Sequence, residues 1–224
     1  MGKLFFFGDS ITAGTWDKSG GWANRLIGRI MDDVINADIT KNEFYCLPYN
    51  LGVSGDSVPD IRDRFKTELS VRFDLEDSDQ ATQIVFSIGI NDSQYFVNEG
   101  RPRFTENEFR ENLQKLIDLA KQFGQSVSFT GLTPVDDDLL YPMPWAPEKA
   151  YISERVRKFE TAIEELCNKN NLPFLPLYNT WTDMPDYKSY FIDGVHPNTK
   201  GHMLLAQQIG DFIITDEFRS FHSS

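Results

Sequence analysis

The sequence predicts an α/β protein in which one parallel β-sheet carries helices on both faces. Two observations lead there. Short apolar or β-branched runs alternate with longer segments of helical period along the chain. The polar, glycine-containing segments directly follow the strand-like runs, at the carboxyl ends where open α/β sheets bind ligands.

The elements follow in order. Residues 3–7 are a continuous apolar run ending at Gly8, the pattern of a strand buried on both faces. In residues 21–35, Trp22, Leu26, Ile30 and Val34 lie at helical spacing. Residues 43–51 return to strand character. Ser57-Val58-Pro59-Asp60 reads as a helix N-cap with an acid at the third position, opening a helix to about Phe73. Residues 82–88 form a β-branched strand ending at Gly89. Thr105 to Glu108 read as a capping box for a helix to about Phe123. Ser126 to Thr130 give a fourth strand and residues 148–169 a long amphipathic helix. Pro173 to Leu177 give a short fifth strand, and Thr199 to about Ile214 a closing helix. No linker or repeat divides them, so residues 1–224 read as a single domain.

Composition narrows the function. Apolar residues make up 40% of the chain, including 18 Phe, enough for a packed core and against disorder. The net charge of -12 leaves no basic face for nucleic acid or an anionic membrane. No run reaches the length of a membrane span. A cleaved leader would remove the first strand, and Phe6 stands where a myristoylation motif needs Ser or Thr. Cys46 and Cys167, in apolar contexts, read as two free thiols. These features together place the expected location in the cytoplasm.

Ser10 follows the first strand, in Gly8-Asp9-Ser10-Ile11-Thr12-Ala13-Gly14. It suits either a turn or helix cap or a nucleophile; the G-x-S-x-G elbow of α/β-hydrolases is absent, so that fold is not supported. Asp193-Gly194-Val195-His196-Pro197 follows the fifth strand. A carboxylate three residues before a histidine can orient one ring nitrogen while the other faces a serine. His202 reads as packed or exposed, and His222 as exposed. Asn50 to Ser57 is a glycine-containing strand-to-helix turn without a nucleotide-binding spacing. One of its N–H groups, and the side chain of Asn91 after the third strand, are candidate donors to an oxyanion. The topology brings these four segments to one rim.

In that order the segments resemble the blocks of the SGNH hydrolase superfamily, also called GDSL esterases/lipases. Gly8-Asp9-Ser10 is similar to the first block and Asn50 to Ser57 to the second, with Gly55 as its glycine. Gly89-Ile90-Asn91-Asp92 is similar to the third, and Asp193 to Pro197 to the fifth. The resemblance implies a three-layer α/β/α flavodoxin-like sandwich with a five-stranded parallel sheet. It implies Ser10 as nucleophile, His196 as base and Asp193 as its partner. It also implies an oxyanion hole from the Ser10 and Gly55 N–H groups and Asn91, and needs no metal or organic cofactor.

The expected substrate is a small or short-acyl ester, such as an acetylated sugar. Thr133 to Pro147 is a loop of the length of a lid, and Trp16 and Trp181 are candidates for pocket walls or core. Two other readings compete. Asp9, Asp92 and Asp193 are three rim carboxylates that suit a Mg²⁺-dependent phosphohydrolase. The same scaffold also suits a binding module without turnover.

Overall fold

The computed structural model describes residues 2–37, 44–72 and 81–223. Strand β1 (Gly2–Gly8) is buried at every position because it has neighbours on both edges and helices on both faces. β2 (Cys46–Gly52) lies on one side of it and β3 (Thr82–Ser87) on the other, both parallel. β6 (Ser126–Thr130) and β8 (Phe174–Leu175) extend the sheet beyond β3, giving the order β2-β1-β3-β6-β8. Strand order therefore reverses at β1, and ligands bind such sheets outside that reversal. The intervening elements β4 (Tyr95–Phe96), β5 (Arg101–Pro102) and β7 (Lys149–Ala150) form a separate antiparallel sheet.

Alternating side chains of β1 build two cores. Phe6 meets Trp22 edge-on at 5.2 Å, on helix α2 (Gly21–Asn36), which packs beside α8 (Thr199–Ile213). Phe7 meets Phe65 at 5.1 Å, on helix α3 (Val58–Ser70). That helix begins a second layer with α4 (Glu106–Ala120) and α6 (Ser153–Asn170). Both expected capping boxes are present, at Ser57/Asp60 and Thr105/Glu108. Cys46 and Cys167 are buried free thiols, and burial pushes each up to about 12. Among the described residues no helix is long and apolar enough to cross a membrane.

Several expectations need correction. The helix expected over 148–169 begins at Ser153, because Lys149–Ala150 spends its backbone on β4 and Ile152 is extended at φ -131. Ser153 N–H instead donates to Asp137 Oδ1 at 2.7 Å, on the short helix α5 (Asp137–Leu140). Of Pro173 to Leu177 only two residues pair as strand. A further helix, α9 (Asp216–Phe221), follows α8. His222 is buried rather than exposed, enclosed by Phe44, Phe218 and Phe221, and burial lowers its pKa to about 4. His202 is fully buried. The expected boundaries at Glu43 and Phe73 lie outside the described residues.

Candidate active site

Ser10 opens helix α1 (Ser10–Ala13) at the carboxyl end of β1. The cap of that helix belongs to Asp9, whose Oδ1 accepts from Ile11 N–H at 2.9 Å. The Ser10 hydroxyl is therefore not the cap, and it lies 2.9 Å from His196 Nε2. Gly8 permits the tight approach beneath it: a Cβ there would sit 2.5 Å from the Ser87 carbonyl oxygen.

The turn from Asp193 to His196 is held by one carboxylate. Asp193 Oδ1 accepts from the Val195 and His196 N–H groups at 3.1 and 2.8 Å, while Oδ2 lies 2.7 Å from His196 Nδ1. Burial opposes the charge on Asp193, but the His196 ring and these N–H groups outweigh it and hold its pKa below the usual carboxylate value. Asp193 is thus ionised throughout the neutral range. Trp181, a candidate for pocket wall or core, sits in the core on helix α7 (Tyr178–Thr182) against Phe191 at 5.5 Å and braces this loop.

The other two segments are tied to each other. Asn91 Nδ2 donates to the Asp56 carbonyl at 2.9 Å, and Asp92 accepts from Val58 N–H at 3.0 Å. Arg64 reaches back from α3 to the Asp56 carboxylate at 2.8 Å and the Leu51 carbonyl at 2.6 Å. Gly55 has φ +87, and no atom lies within 4 Å of where its Cβ would be. The glycine is required by backbone conformation, not by space.

Ser10, Gly55, Asn91 and His196 line one cavity of about 280 Å³. Trp16 and Trp145 stand at its edge, 64% and 51% exposed. Trp16 holds the left-handed conformation at φ 69, costly for a bulky side chain. Met143 and Trp145 bring the loop of residues 133–147 to the cavity, together with Tyr151 and Gln94. Sequence reasoning missed Tyr151 and Gln94. The aromatic and β-branched pair Tyr151-Ile152 ahead of Ser153-Glu154 was the available signal for an extended segment before a helix start.

The three rim carboxylates do not form a metal site. Asp9 caps α1, Asp92 takes Val58 N–H and Asp193 takes His196. Among the described residues no three His, Cys, Asp or Glu side chains group as metal ligands. The phosphohydrolase reading does not fit this geometry.

Asp9 and Asp92 carry a consequence for stability. Burial pushes both up to about 7, against about 3.9 in an unfolded chain. The folded state then keeps protons that the unfolded state releases between about pH 4 and 7. Stability contributed by these groups is full below the unfolded value and falls as pH rises through the folded one. Asp193, shifted down, acts oppositely and only at more acid pH. Urea midpoints are expected to drop from about pH 6.5 to 8, above the range in which buried His222, lowered to about 4, acts oppositely, each Asp adding at most about 1.4 kcal/mol per pH unit. Asp92→Asn should flatten that slope; an unchanged slope would show that Asp92 is ionised in the fold.

Comparisons with known proteins agree with the geometry. The GDSL-like lipase/acylhydrolase family matches residues 6–204. No curated protein matches the chain. Among solved structures, a lipase/acylhydrolase from Enterococcus faecalis is 24% identical with a TM-score of 0.70, covering 98% of this chain and 96% of that one. An acetylxylan esterase from Geobacillus stearothermophilus is 19% identical with a TM-score of 0.69, covering 96% and 94%. A G-D-S-L family lipolytic protein from Veillonella parvula is 22% identical with a TM-score of 0.68, covering 96% and 99%. At these identities the likeness establishes the shared fold. The fold and the family match define a carboxylic ester hydrolase. The chain belongs to the GDSL-like lipase/acylhydrolase family.

Proposed function

We propose that this ester hydrolase works through a Ser10-His196-Asp193 triad on a small ester with a short acyl group, with acetylated sugars as the favoured class. The observation that carries the reading is the continuous hydrogen-bonded line from Ser10 Oγ through His196 to Asp193, opening on the cavity. His196 Nε2 takes the Ser10 proton as the hydroxyl attacks the ester carbonyl. Asp193 holds the Nδ1 proton and stabilises the imidazolium that forms. The oxyanion is met by the Ser10 and Gly55 N–H groups and by Asn91 Nδ2. Neither N–H donates to a protein acceptor among the described residues, which leaves both free for this role. The alcohol leaves, and water attacks the acyl-serine with His196 as base. The same reading takes residues 1–224 as one domain.

Two features support the substrate class. The cavity is near the small end of the roughly 300–1,000 Å³ typical of ligand sites, which favours a short acyl group. The exposed Trp16 and Trp145 rings offer flat apolar faces to a sugar. The test is a series of p-nitrophenyl esters from acetate to dodecanoate, run beside acetylated xylose. Expected are a kcat/KM that falls as the chain lengthens and release of acetate from the sugar. A kcat/KM that rises with chain length would replace this reading with a lipase.

A further inference from the structure

We propose that Tyr151 is a positioning residue for this reaction: its buried hydroxyl sets the orientation of the Asn91 amide that meets the oxyanion. The proposal rests on the reading of Asn91 as an oxyanion donor. The hydroxyl lies 2.7 Å from Asn91 Oδ1 and 2.7 Å from Gln94 Nε2. An amide nitrogen donates only, so Gln94 gives a hydrogen to the Tyr151 oxygen, and the tyrosine proton goes to Asn91 Oδ1, which Gln94 Nε2 also reaches, at a longer 3.4 Å. The Asn91 oxygen is thereby pinned on the tyrosine side. One Nδ2–H goes to the Asp56 carbonyl at 2.9 Å, and the other is left for the cavity that Asn91 lines.

The pinning has a chemical purpose. The two ends of an Asn amide are nearly alike in shape. A flipped amide would present a carbonyl oxygen to the developing negative charge and repel it. Tyr151 and Asn91 are each 4% exposed and Gln94 is 6% exposed, so bulk water does not replace a lost partner freely. Burial raises the Tyr151 pKa above the ordinary phenol value, so the hydroxyl keeps its proton for this bond. Arg103 Nη1 stands 3.5 Å from Gln94 Oε1 and places a cation at the far end. The donors from Arg103 through Gln94 and Tyr151 to Asn91 all point one way, so each polarises the next toward the oxyanion.

The experiment is a double-mutant cycle on p-nitrophenyl acetate. Asn91→Ala is expected to lower kcat by about 10²–10³-fold, the usual loss for one oxyanion donor. Tyr151→Phe keeps the buried ring and is expected to lower kcat about tenfold, with KM changed less than about twofold. In the Asn91→Ala background it should cost nothing further, because the amide it orients is gone. Gln94→Met removes both the donor to the Tyr151 oxygen and the 3.4 Å contact to Asn91 Oδ1, and is expected to give a smaller, KM-silent fall of about threefold; should Tyr151→Phe not fold, Tyr151→Met, which removes the hydroxyl and keeps a long apolar side chain, takes its place. Wild-type kcat in Tyr151→Phe, or the same tenfold loss in both backgrounds, overturns the positioning role while leaving Asn91 as donor. Wild-type kcat in Asn91→Ala overturns the donor reading and the positioning role together.

Discussion

Ser10→Ala is expected to lower kcat by about 10⁴-fold or more while leaving the protein folded. The fold survives because the α1 cap is supplied by Asp9, and the substitution removes only a hydroxyl from a residue at the start of that helix. The activity does not survive, because His196 Nε2 then has no proton to take at 2.9 Å. Residual turnover comes from binding and oxyanion donors, which do not depend on the hydroxyl. Steady-state kinetics beside a thermal melt check this. A folded variant within tenfold of wild type contradicts the nucleophile.

Asp193→Asn is expected to lose up to about 10⁴-fold in kcat, also without unfolding. The asparagine oxygen can still accept from the Val195 and His196 N–H groups, so the turn is retained. Its Nδ2, however, faces His196 Nδ1, where Asp193 Oδ2 sits at 2.7 Å. A donor there forces the ring proton onto Nε2, and the ring can no longer accept from Ser10. KM should change little, since the carboxylate lines no part of the cavity. A loss below tenfold would mean that Asp193 does not set the tautomer.

Much of this arrangement was legible in the sequence because it is local. Leu4 to Phe7 is apolar at successive positions, the pattern of a strand covered on both faces, and Gly8 marks where it stops. The capping boxes at Ser57 and Thr105 are written within four residues, so α3 and α4 start where expected. Asp193 and His196 are three residues apart and meet within one turn. What was not legible depends on distant partners. Glu148-Lys149-Ala150 has helical propensity, but β4 recruits residues 149 and 150 into a sheet from more than fifty positions away. His222 reads as a polar chain-end residue, yet Phe44 and Phe218 enclose it. Tyr151 reaches Asn91 across sixty positions, and no spacing rule announces that contact.

The central claim is that Ser10 is the nucleophile. Intact-mass measurement after treatment with a fluorophosphonate, followed by peptide mapping, tests it most directly. The account predicts one adduct on the wild type, located on Ser10, blocked by Ser10→Ala and strongly slowed by Asp193→Asn. An adduct on another residue, or an unlabelled wild type that still hydrolyses esters, would contradict it.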